Sequence, residues 1–293
     1  MKTDNVLTLP DGRKLAYAEF GQPDGHPVLY CHGSYSARLE PLLIGEDVFR
    51  QYGLRVIAAD RPGMGGSDFQ PNREYTGFTK DIVFLTDALG VEKFSVLAIS
   101  GGSPYAAVCA AKIPKRISKV VLVSGSWQID KEVIKAIGSP MNLMWQVALS
   151  MPFLLKFVVK IMVKLMSQDP KDDYNENSQP PNDIMPAVDL VAMAKPERMA
   201  IYQKTLMESV KQGVKGAAWD IRMNVREWDF DLDEIQIPIL LFHGGLDKNM
   251  PLARVQQTAN QLHDAQLVTY PDDGHISTFA NHSDEIVKAL MPD

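Results

Sequence analysis

The sequence predicts an α/β protein, with a mostly parallel sheet of eight strands flanked by helices and interrupted once by a helical insertion. Three observations carry this. Through the first 125 residues, short apolar runs alternate with helix-length segments, the pattern of strand–helix units on a parallel sheet. The runs at 27–31, 54–59 and 94–99 are almost continuously apolar, as suits strands covered on both faces. The alternation stops near Ser126 and resumes at Pro238.

Taken in order, residues 5–9 and 15–20 read as two antiparallel strands joined at Asp11-Gly12, a turn dipeptide. Strands follow at 27–31 and 54–59, with a helix over 39–52 between them. A helix over 75–89 ends at Gly90, a suitable cap residue. Then come a strand at 94–99, a helix at 103–112 and a strand at 120–123. Residues 126–225 break the rhythm and hold ten of the 14 methionines. This part reads as a helical cap, with an exposed, proline-containing loop at 168–182. The rhythm returns with strands at 239–242 and 267–270 and helices at 252–262 and 283–290. The expected division is therefore a core of 1–125 and 226–293, with the cap inserted between.

Composition narrows the function classes. The chain has 293 residues, 30 basic against 36 acidic, and a net charge of −6. It is neither disordered nor collagen-like, and its acidity argues against a nucleic-acid partner. Cys31 and Cys109 read as buried free thiols, which fits a reducing compartment and a cytoplasmic protein. The first ten residues lack the apolar core of a signal peptide. No uncharged run of 18 apolar residues is present, so no membrane span is expected.

The strongest chemical signal is the run FSVLAISGGSPYA from Phe94. A buried strand leads straight into Ser100, and a helix begins just after. Ala98 and Gly102, two residues to either side, are small enough for strand and helix to approach closely. Such an elbow lifts the hydroxyl clear of the sheet and sets it at a helix N-terminus, which suits an oxyanion. The usual spelling is G-x-S-x-G, so Ala98 stands one methyl larger than expected. A Gly-Gly turn with an incidental serine is the plainer alternative. A serine needs a base, and the base an orienting acid. Asp247 lies just past the strand at 239–242, and His275 just past the strand at 267–270. Each has a plain reading, as a turn residue or a solvated loop histidine. Together with the elbow they would converge at the carboxyl edge of one sheet. Across that edge, Tyr30-Cys-His32-Gly33-Ser34 leaves a strand at a His-Gly pair. The Ser34 and Gly101 N–H groups are the candidate oxyanion donors. His32 reads as a loop support with no proton-transfer role.

In order and spacing these segments resemble the α/β-hydrolase superfamily, most closely its cap-bearing serine esterases. The matching segments are His32-Gly33, Asp60-Arg-Pro-Gly-Met-Gly-Gly-Ser67-Asp68, the Ser100 elbow, and the Asp247 and His275 loops. The resemblance implies Ser100 as nucleophile, His275 as base, Asp247 as acid, and Ser34 and Gly101 as oxyanion donors. It implies a structural role for the 60–68 turn, and neither cofactor nor metal. Tyr35 and Ser36 stand where many relatives carry Pro and Gly, so Tyr35 either puts a hydroxyl near the substrate or packs as an ordinary aromatic.

The expected activity is hydrolysis of carboxylic esters with small to medium apolar acyl groups, on a small-molecule substrate. Tyr35, Trp127, Met144 and Trp145 are the candidate pocket residues. The same triad also serves lactonases, proline-iminopeptidase-like enzymes and C–C bond hydrolases, or survives in a slow ligand receptor. An aminopeptidase would need cap carboxylates such as Glu176, Glu197 or Glu208 near the serine. The chain is expected as a monomer or homodimer. Lys156, Lys160 and Lys164 recur every fourth residue on an otherwise apolar helix. They read as the watered face of a cap helix, the alternative being a surface that touches anionic membranes or dimerises.

Overall fold

The computed structural model describes residues 2–138, 141–167 and 185–291. Eight strands form a single sheet: β1 (Lys2–Thr8), β2 (Lys14–Gly21), β3 (His26–Cys31), β4 (Leu54–Ala59), β5 (Phe94–Ile99), β6 (Ile117–Val123), β7 (Ile239–Gly244) and β8 (Ala265–Tyr270). Their order is β1-β2-β4-β3-β5-β6-β7-β8. β1 and β2 pair antiparallel, and β2 runs antiparallel to β4. From β4 to β8 all pairing is parallel. The turn between β1 and β2 is set by Gly12 at φ 85° and by Asp11, whose carboxylate accepts the Arg13 N–H.

Twelve α-helices are described: α1 (Glu46–Gln51), α2 (Tyr75–Ala88), α3 (Ser103–Lys112), α4 (Lys131–Ala136), α5 (Met141–Ser150), α6 (Leu155–Met166), α7 (Ala187–Met193), α8 (Pro196–Ser209), α9 (Lys215–Asn224), α10 (Leu252–Gln261), α11 (Ser277–Asn281) and α12 (Ser283–Lys288). Helices α4 to α9 all fall between β6 and β7, with no strand among the described residues of that stretch. The loop expected at 168–182 lies outside the described residues.

The runs predicted as buried strands are buried because both faces of the sheet are covered. Every residue of β5 is buried. Leu29, Val96, Ala98 and Leu122 face one apolar cluster, while Tyr30, Leu97, Val121 and Val123 face the other. Edge strand β8 is only partly buried.

The helix expected over 39–52 is broken into a 3₁₀ turn (Glu40–Leu43) and the short α1. Gly45, at φ 104°, separates them, and the Glu40 side chain turns inward to accept the Gly33 N–H at 2.8 Å. The polar contact needed by the β3 loop overrides the helical pattern.

Strand order also fixes where a site can form. The chain leaves β3 toward β4 on one side and β5 toward β6 on the other. The loops after β3 and β5 therefore diverge, opening a crevice at the carboxyl edge between them. Ser34 and Ser100 stand on those two loops.

Candidate active site

β5 delivers Ser100 at its carboxyl end, at the first residue of a 3₁₀ turn (Ser100–Gly102) that runs on into α3. Ser100 has φ 49°, a left-handed conformation seldom adopted by a residue with a Cβ. The turn closes because its neighbours are small. A Cβ on Gly102 would strike the Cys31 carbonyl oxygen. Ala98 fits in place of the usual glycine because its methyl lies in the apolar cluster under the sheet, fully buried. Ser100 itself is only partly buried.

Asp247 follows β7 and His275 follows β8, and the sheet brings all three side chains together. His275 Nε2 lies 2.9 Å from Ser100 Oγ, and His275 Nδ1 lies 2.8 Å from Asp247 Oδ2. Asp247 Oδ1 accepts the N–H groups of Asn249 at 2.8 Å and Met250 at 3.0 Å. Burial pushes the Asp247 carboxyl up. The His275 imidazole, its hydrogen bond, His243 and the Met250 N–H outweigh this and hold it below the usual carboxylate range. An ionised Asp247 can only accept, so His275 Nδ1 carries the proton and Nε2 is left to accept from the serine hydroxyl. Burial lowers the His275 pKa, but Asp247, Asp189 and Glu40 raise it further, and it sits above its ordinary value.

The β3 loop is held from behind. Arg61 donates to the carbonyls of His32 and Gly33, the latter at 2.8 Å, and the Gly33 N–H donates to Glu40. His32 Nδ1 lies 3.0 Å from the Gly33 carbonyl oxygen. Burial and Arg61 push the His32 pKa well down, so the ring is neutral and serves as a support. In a trans peptide the C=O and N–H point opposite ways. Anchoring the Gly33 carbonyl on Arg61 therefore turns the Ser34 N–H away from Arg61. Gly101 packs directly on Ser34: a Cβ there would meet Ser34 Oγ and lie 3.0 Å from Ser34 N. The Gly101 N–H belongs to the first turn of its helix, where no preceding carbonyl claims it. The Ser34 and Gly101 backbones are thus in direct contact beside the Ser100 turn.

Two aspartates from the helical insertion reach down into this machinery, and no spacing rule in the sequence marks either. Asp189 of α7, 1% exposed, accepts the N–H groups of His275 (2.9 Å), Ile276 (3.1 Å) and Ser277 (2.8 Å), and the Ser277 hydroxyl (2.7 Å). It caps α11 and fixes the backbone that carries His275. From the other side Ser124 Oγ donates to the His275 carbonyl at 2.8 Å. Asp220 of α9 pairs with Arg61 and Arg73, both at 2.8 Å, and accepts from Tyr105. Burial raises the Asp220 carboxyl, but the two guanidiniums hold it below its usual range. Asp220 therefore steadies the arginine that aims the Ser34 N–H. The 60–68 turn is closed by Asp60, which accepts the N–H groups of Arg38 and Gly66. Arg61 gives this turn a part in the site that the sequence did not disclose.

Removing the Asp189 carboxylate would leave three N–H groups without their acceptor, that of Ser277 buried and those of His275 and Ile276 partly so. Each lost partner costs about 1–3 kcal/mol when fully buried and less when not. Asp189→Ala is expected to destabilise the chain by about 3 kcal/mol, lowering Tm by roughly 6–12 °C. Thermal unfolding of the variant measures this; a Tm within a degree of wild type would contradict it.

The four candidate pocket residues fall into two groups. Tyr35, at φ 54° and 6% exposed, donates its hydroxyl to the Met144 sulfur at 2.8 Å. Tyr35 is thus a packed aromatic that ties the β3 loop to α5, where Trp145 is also buried. Trp127 follows Ser126, whose N–H donates to the Ser100 carbonyl at 3.0 Å. Trp127 lines a cavity of about 780 Å³ with Trp228, Phe230 and Arg254, and none of Ser100, Asp247 and His275 borders that cavity. Glu208 is occupied by Arg38 and Lys211, Glu197 is exposed on α8, and Glu176 lies outside the described residues. Among the described residues no group of three or more His, Cys, Asp or Glu side chains is placed to hold a metal ion.

Comparison with known proteins agrees with this architecture. The family model described as "alpha/beta hydrolase fold" matches residues 26–281. The chain belongs to the α/β-hydrolase fold family. It is 23% identical over 284 residues to an uncharacterised hydrolase, YcgS, of Bacillus subtilis (strain 168), covering 96% of this chain and 95% of that one. It is 28% identical over 277 residues to a non-haem chloroperoxidase of Streptomyces lividans, covering 90% of each. Among solved structures, a thermophilic esterase from Thermogutta terrifontis superposes with a TM-score of 0.65 at 21% identity, covering 98% of this chain and 96% of that one.

Proposed function

We propose that this α/β hydrolase cleaves carboxylic esters of small to medium uncharged acyl groups through an acyl-enzyme on Ser100. The observation that carries the reading is the relay from Ser100 Oγ through His275 to Asp247, at 2.9 and 2.8 Å. Both distances lie within the reach needed for proton transfer. His275 Nε2 takes the hydroxyl proton as Ser100 Oγ bonds to the ester carbon. The Ser34 and Gly101 N–H groups receive the developing oxyanion. The carbon–alkoxide bond then breaks, and the alcohol leaves with the proton from Nε2. Water repeats the sequence, giving up a proton to Nε2, adding to the acyl carbon and releasing the acid and free serine. Asp247 stays ionised and steadies the imidazolium.

Helices α4 to α9 serve as the cap over this site, and α5 meets the Tyr35 loop through the buried, apolar Met144. Apolar packing at that loop favours uncharged acyl groups. An aminopeptidase reading lacks support, since of the two described candidate carboxylates Glu208 is already paired and Glu197 is exposed on α8. The two buried free thiols fit a cytoplasmic location.

A fluorophosphonate probe should label Ser100, and a panel of acyl esters, lactones and aminoacyl amides should show turnover on esters first. Absence of labelling, or turnover confined to amides, would overturn the assignment. The pH profile supplies a separate check. The base must be neutral, and the His275 pKa is raised above its ordinary 6.5. The acidic limb of kcat/KM is therefore expected to have its midpoint above pH 6.5, with activity rising as pH increases through it. A midpoint below 6.5 would contradict the electrostatic account.

A further inference from the structure

Helix α6 shows a surface that the hydrolytic site does not explain. It buries only Leu155, Val159 and Val163, one stripe at i+4 spacing. On the opposite side Phe157 is 66% exposed, Ile161 44% and Leu165 56%, again at i+4 spacing. Phe153, just before the helix, is 79% exposed. With Leu143, Met151 and Leu154 these residues make up seven of the eleven large apolar side chains exposed among the described residues. Scattered exposed apolar groups are ordinary, but such a concentration marks a contact surface.

What covers the stripe is decided by charge. At 100° per residue, Lys156, Lys160 and Lys164 form a second exposed row beside it. The stretch from Met151 to Met166 contains these three lysines and no acidic residue, in a chain whose net charge is −6. A second copy docking through the same face would bring two lysine rows together with no carboxylate on either helix to offset them. An anionic bilayer meets both rows at once: large apolar groups enter the headgroup boundary while lysines reach the lipid phosphates. No helix among the described residues is long and apolar enough to cross a membrane, which leaves a helix lying in the surface plane.

We propose that α6 is an interfacial membrane-binding helix that docks the protein on anionic lipid bilayers through Phe153, Phe157, Ile161 and Leu165, with Lys156, Lys160 and Lys164 holding the headgroups.

The test is co-sedimentation of the full chain with vesicles of phosphatidylcholine alone or mixed with phosphatidylglycerol. Binding is expected to the mixed vesicles only, and to weaken as salt rises. Each lysine near the surface contributes about fivefold to partitioning, so the triple variant Lys156→Gln, Lys160→Gln, Lys164→Gln should bind on the order of 100-fold more weakly. The variant Phe157→Ser, Ile161→Ser, Leu165→Ser should lose binding with its lysines intact. If it fails to fold, as judged by circular dichroism, the lysine variant carries the test, because its substitutions are confined to exposed side chains. No sedimentation with anionic vesicles at low salt would overturn the proposal. So would undiminished binding by the lysine variant, or a dimer in sedimentation velocity that the serine variant abolishes while vesicles bind neither.

Discussion

Ser100→Ala is expected to lower kcat for ester hydrolysis by about 10⁵–10⁶-fold, the loss seen when a triad serine or histidine is removed from a serine protease. The change deletes one oxygen and leaves the elbow as it is, because the close approaches are made by Gly101, Gly102 and Ala98. The oxyanion donors also survive. KM should therefore change little, and the small remaining rate reflects binding and the Ser34 and Gly101 N–H groups. Fluorophosphonate labelling should vanish. Steady-state kinetics on a soluble ester, with thermal unfolding to show that the fold persists, measures the effect. Retained turnover would mean that the bond is broken by some other group.

Asp247→Asn tests the relay from its far end and should cost about 10⁴-fold in kcat. The substitution is nearly isosteric, and its amide oxygen can still accept from the Asn249 and Met250 N–H groups, as Oδ1 does now. The amide nitrogen then faces His275 Nδ1 and donates to it. The imidazole answers by moving its proton to Nε2, which can no longer accept from Ser100. A second consequence concerns pH. Asp247 is the largest influence raising the His275 pKa, so the residual activity should show its acidic limb at lower pH than wild type. A merely structural aspartate would leave that limb in place, which separates the two roles.

Much of this site is backed by residues well away from Ser100. Asp189 and Asp220 come from the insertion, yet one holds the His275 loop and the other steadies Arg61 behind the Ser34 loop. Further polar contacts join the two parts. Thr205 Oγ1 accepts from the Ala37 N–H at 3.2 Å, and Gln212 donates to the carbonyls of Gly65 and Ser67. On α9, a Cβ on Gly216 would strike the Gly63 carbonyl oxygen, so the helix backbone lies directly against the 60–68 turn. The insertion is thus a clamp on the loops that carry Ser34 and His275.

The difference in legibility has a physical cause. Strands covered on both faces must be apolar throughout, so β3, β4 and β5 are visible as runs in the sequence. The elbow is legible too, because a strand meeting a helix at close range admits only small side chains. Contacts that depend on a single carboxylate reaching another element leave no such trace. Asp189 sits in the unremarkable run Ala187-Val-Asp-Leu, and Glu40 lies in what reads as a helix but spends its side chain on the β3 loop. Helical periodicity likewise says which residues share a face, not which face meets the core. On α6 the packing buries Leu155, Val159 and Val163 and leaves Phe157, Ile161 and Leu165 outside.

By itself the sequence determined the α/β class, the order of Ser100, Asp247 and His275 along the chain with each just past a strand, and the elbow that carries the serine. It could do so because burial and close packing restrict residue type locally. Tertiary structure alone decided the distances between those three groups, the anchoring of their loops by Asp189, Arg61 and Asp220, and the outward face of α6. Those depend on where separate elements come to rest against one another, which no local pattern encodes.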